Sequence, residues 1–179
     1  FDPVNTLIDW LINQGATVDE INLDYNLRNV FGKLFYHHLL HMLESCKHNL
    51  VEKRTQRIML ATKQDNDLFQ TLQEQKKIVV KLKQYMQIYD FVIAPATVSN
   101  ASNFCVMADV DHADQMLLNP FAILHAVSQQ PTVTVPIGLN QQSIPSSVTI
   151  SAAGGHDCDL LQFCKILQHQ FPMPYSPFF

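Results

Sequence analysis

The chain has 179 residues, of which 47% are hydrophobic and 16% charged, with a formal net charge of −4. That length suits a single domain or one large portion of a bigger one, a chain this apolar is not disordered, and no apolar run approaches the roughly 18 residues of a membrane-spanning helix. Residues 1–89 hold 11 of the 12 Lys and Arg, so the second half has no cations to cluster against phosphates, and neither nucleic acid nor a membrane is expected as a partner.

Asp2-Pro3 suits the start of a helix, because Asp accepts orphan amide protons and Pro has none to satisfy. Val4, Leu7, Ile8, Leu11 and Ile12 then share one helical face, and Gly15 is placed to end the helix in the left-handed region. Residues 16–23 (ATVDEINL) alternate and predict a strand. Residues 27–50 and 52–89 lack Pro and repeat apolar residues at helical spacing, which predicts two long helices with a break near Asn49. Lys76, Lys77, Lys81 and Lys83 on the second read as a solvated face.

Asp90 to Ala94 (DFVIA), stopped by Pro95, predicts a strand buried on both faces. A polar loop over 96–111 and a helix over roughly 113–127 follow. Thr132 to Val135 (TVTV) and Ser147 to Ser151 (SVTIS) predict strands around a turn at 138–145. Gly154-Gly155 predicts a turn, with Asp157 capping a last helix to Gln170 and a Pro- and Phe-rich tail lying on the surface. The sum is an α/β fold with a mixed sheet of about four strands flanked by helices. Residues 1–179 form one domain or the C-terminal portion of a larger one. Four strands are few for so many apolar helices, which suggests that part of the fold lies outside this chain.

Few constellations suggest chemistry. His37, His41, Glu44 and His48 share one side of a helix at spacings a metal could bridge, but HExxH is absent, and a wetter helix face explains them better. Asp109, Asp111, His112 and Asp114 lack the Gly and distal Glu of a calcium loop. His156-Asp157-Cys158-Asp159 is better explained by a helix cap than by an activated thiol. Cys46, Cys105, Cys158 and Cys164 form no CxxC pair and read as reduced thiols of a cytoplasmic protein. No GxSxG, GxxxxGK[ST] or GxGxxG occurs, and no metal or cofactor is expected.

The ordered series 54–62 (RTQRIMLAT), 89–97 (YDFVIAPAT), 131–139 (PTVTVPIGL), 144–150 (IPSSVTI) and Asp157 to Leu161, preceded by Leu7 to Leu23, resembles the C-terminal part of an amidase-signature domain. The resemblance runs over about residues 4–170 and implies hydrolysis of C–N amide bonds through an acyl-enzyme. In that family a Ser nucleophile, a second Ser and a Lys base sit in an N-terminal Gly/Ser-rich signature. This chain has no Gly-Gly-Ser-Ser, so no catalytic residue carries over. The implied partners are the missing N-terminal portion of the same enzyme and a small amide substrate, with a homodimer as a further arrangement.

The resemblance also implies pocket roles. Arg57 matches an Arg that holds a substrate carboxylate, although an exposed helix Arg would look the same. Asn119 is the nearest match to an acidic residue that binds a substrate amine. Ile137 lies in the Pro136-Ile137-Gly138 segment that approaches the acyl pocket, where simple strand termination is the plainer role. The chain departs from the family pattern at Gln129-Gln130, where Gly usually precedes the strand's Pro, and at Pro145-Ser146-Ser147-Val148-Thr149, where P-V-G-x-Q is usual. Those departures leave open a non-catalytic α/β module that binds another protein.

Overall fold

The computed structural model describes residues 3–22, 27–43, 67–96, 120–141 and 143–173. The first helix, α1 (Pro3–Asn13), buries Pro3, Leu7 and Leu11. Ile12, predicted on the same face, is instead exposed. Gly15 has a φ of +89°. Its amide donates to the Ile12 carbonyl at 2.9 Å and the Ala16 amide donates to Leu11 at 3.0 Å. This pair of bonds is the Schellman ending that a left-handed residue permits.

Residues 16–22 are not a strand, contrary to the alternation of their sequence. A strand exists only through pairing, and no strand pairs with them among the described residues. The segment is mostly exposed and is tied by the Tyr89 hydroxyl, which hydrogen-bonds Asp19.

Helix α2 (Leu27–Leu43) and helix α3 (Leu68–Tyr85) lie within the two long predicted helices. The expected break near Asn49 falls outside the described residues. The start of α3 is set by Asp67, whose Oδ1 accepts from the amides of Phe69 at 2.9 Å and Gln70 at 3.2 Å. Such a cap stabilises a helix end by about 1 kcal/mol. The helix stops at Tyr85 rather than running to residue 89, and turn bonds occupy Gln87 to Tyr89.

Strand β1 (Phe91–Pro95) follows, then helix α4 (Pro120–Ser128), strands β2 (Thr132–Leu139) and β3 (Pro145–Ala152), and helix α5 (Asp157–Gln170). The three strands order as β1-β3-β2, and both pairings are antiparallel. Among the described residues the sheet thus has three strands, all antiparallel, of the about four expected in a mixed sheet flanked by helices. β2 runs through Pro136, which the sequence places as a terminator. Pro is tolerated there because β2 is an edge of the described sheet. The register with β3 slips between Pro136 and Gly138, leaving Ile137 as the extra residue of a bulge. Gly138 has a φ of +139° there.

Asp157 does not cap α5. His156 occupies the cap position without a side-chain cap bond, and Asp157 and Asp159 lie in the first turn, where negative charge suits the helix dipole. His156 Nδ1 instead pairs with Asp159 Oδ2 at 2.9 Å, both groups being exposed.

The alternation of each strand separates two kinds of surface. Phe91 and Ile93, Val133, Val135 and Ile137, and Val148, Ile150 and Ala152 face α1 and α5, joining Leu7, Leu11, Leu160, Cys164 and Leu167 in one apolar cluster. Phe91 stacks on Phe163 with ring centroids 4.6 Å apart, and Trp10 meets Phe171 edge-on at 5.8 Å. A second cluster joins Val30 of α2, Ile78 and Leu82 of α3, and Leu124 and Val127 of α4. Gln75 Nε2 donates to the Val127 carbonyl at 3.0 Å, fastening α3 to α4.

Two described non-glycine residues, Gln129 and Ser143, hold a left-handed backbone. Gln129, directly after α4, has a φ of +58°. That region costs a side-chain-bearing residue about 1–2 kcal/mol relative to glycine. Gln129→Gly is therefore expected to stabilise the protein by about 1 kcal/mol, read as a higher urea midpoint with an unchanged slope. An unchanged or lower midpoint would show that the Gln side chain offsets the strain.

Candidate functional site

The sheet face opposite α1 and α5 is lined by hydroxyls. Register pairs Thr132 with Ser151, Thr134 with Thr149, and Pro136 with Ser147, so all five hydroxyl residues share that face. Val92 and Ala94 of β1 pair with Ser151 and Thr149 and complete it. Ser151 is 0% exposed and Thr149 4%. Thr134 and Thr149 place their hydroxyl oxygens 3.4 Å apart.

Helix α4 lies against this face and brings His125 to it. Ser151 Oγ and His125 Nδ1 are 2.8 Å apart, both side chains buried. His125 Nε2 is buried with no hydrogen-bond partner among the described residues. Burial pushes the imidazole down to about 4, because an uncompensated charge is costly away from water. At neutral pH the ring is therefore neutral. Either Ser151 donates to Nδ1, or Nδ1–H donates to Ser151 Oγ. The His125 carbonyl also accepts from the Ser128 hydroxyl at 3.2 Å and the Gln129 amide at 3.0 Å, which holds the end of α4 in place.

A serine beside an imidazole has the composition of a nucleophile–base pair. Here neither group reaches solvent, and the arrangement serves as a polar tie between a helix and the sheet. The sequence reading missed it because the partners are 26 residues apart in the chain. The available signal was the period-2 placement of hydroxyls in TVTV and SVTIS, opposite a lone His on an apolar helix.

Of the pocket residues expected from sequence, Arg57 and Asn119 lie outside the described residues. Ile137 is 3% exposed, with its side chain in the apolar cluster against α1 and α5. The bulge thus anchors its side chain on one face while Gly138 kinks the backbone beside it. His37 and His41 lie on α2, and Glu44 and His48 fall outside the described residues. Among the described residues no three His, Cys, Asp or Glu side chains gather as metal ligands. The acidic cluster from Asp109 to Asp114 also lies outside them. Cys158 is an exposed thiol and Cys164 a buried one. No described helix is long and apolar enough to cross a membrane.

Ser151→Ala is expected to cost about 1–3 kcal/mol, because it leaves Nδ1 of a buried ring unpaired. The double variant His125→Leu/Ser151→Ala should cost less than the single one, since it removes both ends of the bond. Equilibrium denaturation of the two variants checks this, and additive or larger losses in the double variant would refute it.

Comparison with known proteins places these features in a lineage. A family model described as Amidase matches residues 3–161. Among solved structures, 6-aminohexanoate cyclic dimer hydrolase complexed with substrate superposes with a TM-score of 0.75 at 18% identity, covering 95% of this chain and 41% of that one. A glutamyl-tRNA(Gln) amidotransferase chain from Thermotoga maritima gives 0.73 at 16% identity, covering 95% and 38%. The urea amidolyase of K. lactis gives 0.64 at 14% identity, covering 93% of this chain and 11% of that one. At these identities the likeness is one of fold, and this chain spans about two-fifths of the length of the first two. No curated protein matches. The family match runs through every described element from α1 to the first turn of α5, and the chain belongs to the Amidase family.

Proposed function

We propose that this chain is the C-terminal, pocket-forming portion of a hydrolase that cleaves C–N amide bonds, with its reacting groups on polypeptide outside these 179 residues. The observation that carries the reading is the family match over residues 3–161 in a chain that covers only 41% of a hydrolase with the same fold. The absence of a Gly-Gly-Ser-Ser signature from the sequence supports it.

In this scheme a Ser hydroxyl supplied by the N-terminal portion adds to the substrate carbonyl, its proton passing through a second Ser to a Lys. The C–N bond breaks, the amine leaves with a proton, and water hydrolyses the resulting ester to the acid. This chain supplies walls. Arg57 holds a substrate carboxylate through its planar guanidinium, and Asn119 lies at the substrate amine. The Pro136–Gly138 bulge presents backbone to the acyl group, with Ile137 as its anchor. The partners are the remaining portion of the enzyme and a small amide. The core thiol Cys164 suits a reducing, cytoplasmic setting.

A second reading rests on Gln129-Gln130, where the resemblance implies a Gly before the strand's Pro and where Gln129 holds a left-handed conformation. On this reading the pocket has diverged and the chain is an interaction module, whose β1 or β2 edge, unpaired among the described residues, takes up another protein or a second copy.

A serine-reactive fluorophosphonate separates the readings. The 179-residue chain alone is expected to stay unlabelled, and an assembly with the N-terminal portion to be labelled on that portion. Amide turnover by the isolated chain overturns the proposal, and an assembly that is never labelled favours the interaction module. In the active assembly Arg57→Ala is expected to raise KM for a carboxylate-bearing amide by about tenfold to a hundredfold with kcat little changed. An unchanged KM removes Arg57 from the pocket.

A further inference from the structure

The two apolar clusters do not share the sheet equally. Every described strand contributes to the cluster with α1 and α5, whereas among the described residues the cluster of α2, α3 and α4 contains no strand residue. The helical layer therefore packs chiefly on itself. It meets the sheet across the hydroxyl face, where the tie is Ser151 Oγ to His125 Nδ1 at 2.8 Å. The connection from α4 into β2 passes through Gln129, which holds a left-handed conformation.

We propose that α2, α3 and α4 form a layer that lifts from the sheet as a unit when His125 takes up a proton, while the α1–sheet–α5 half stays folded. The inference concerns the architecture alone and stands whether or not the protein hydrolyses amides.

Protonation need not break the tie itself, since Nδ1–H of an imidazolium still donates to Ser151 Oγ. The difficulty is the charge. Nε2–H has no acceptor among the described residues, and β3 offers only hydroxyls. Among the described side chains on the other elements packed against α4, the titratable groups are Lys33, His37, His38 and His41 of α2, and Glu74, Lys76, Lys77, Lys81, Lys83 and Tyr85 of α3. None of them contributes to the shift of His125, which comes from burial. A buried imidazolium reaches a compensating environment only if water reaches it, and lifting α4 is the movement that admits water at least cost to the apolar cluster on the other face.

The sign follows from the direction of the shift. The folded state resists the proton more than the unfolded chain does. The stability that the neutral, buried ring gives the layer is thus complete above the ordinary imidazole value of 6.5 and is lost progressively as pH falls toward about 4.

Hydrogen exchange of the full-length protein, with labelling times scaled to intrinsic rates, tests this. Between pH 7 and pH 4.5, protection within 27–43, 68–85 and 120–128 should fall by about tenfold to a hundredfold. Protection within 3–13, 132–139, 145–152 and 157–170 should hold. His125→Asn, which keeps a polar group near the Nδ1 position without a titrating ring, should abolish the acid step. Should that variant not fold, NMR titration of the wild-type ring decides: a depressed His125 value with loosening of α4 at the same midpoint supports the proposal. Loss of protection in all elements together, an acid step that survives in His125→Asn, or a ring that titrates near 6.5 overturns it.

Discussion

Everything in this fold is hung on β3, the strand with a neighbour on each side. Its residues Val148, Ile150 and Ala152 are fully buried against α1 and α5, and Thr149 and Ser151 are buried on the reverse face. A strand enclosed on both faces must satisfy two environments with one alternation. Here it does so by being apolar on one side and hydroxyl-bearing on the other. The apolar side contributes by area, about 1.5–3 kcal/mol for each large aliphatic fully buried. The hydroxyl side contributes by pairing, about 1 kcal/mol per bond. That difference ranks the two layers of helices before any further detail is known.

Much of this was legible in the sequence, and the failures share a cause. Gly15 marks the end of α1 because its role is local: a left-handed residue and two backbone bonds within five positions. Strands β1 and β3 were likewise legible, since DFVIA and SVTIS carry their burial in their own composition. Residues 16–22 misled because alternation promises only a half-buried surface and cannot provide the partner that makes it a strand. Asp157 misled by one position, since His156 takes the cap and leaves the carboxylate in the first turn. The extension of β2 beyond Pro136 was hidden because Pro forbids only an inward amide, and which edge a strand occupies is a property of the whole sheet. Of the pocket residues, Ile137 shows a side chain committed to the core, a fact that no motif match conveys.

Family membership rests on order and extent rather than on any one residue. The tie between His125 and Ser151 lay beyond both routes: motif reading looks for known constellations, and periodicity does not say which helix will lie over which face. It emerges only when register puts Ser151 beneath α4. Its chemistry depends on that placement too, since an exposed Ser–His contact would be ordinary and a buried one with Nε2 unpartnered among the described residues is costly.

The departures from the pattern that the resemblance implies fall on both alternations of β3, since Ser146 shares the parity of Val148 and Ile150. Ser147 and Thr149 lie on the hydroxyl face, and Gln129 stands at the end of the helix that covers it. Val148 and Ile150, between and beside them, stay apolar and buried. The α1–α5 side allows no polar substitution, because each would bury an unsatisfied group among ten packed apolar residues. The hydroxyl face can accept changes as long as each new polar atom finds a partner, as Thr149 finds Thr134 and Ser151 finds His125. One side of the sheet is held by aliphatic packing, while the other is held by hydrogen bonds between side chains. On that second side a substitution that keeps each polar atom paired leaves the α1–α5 core intact.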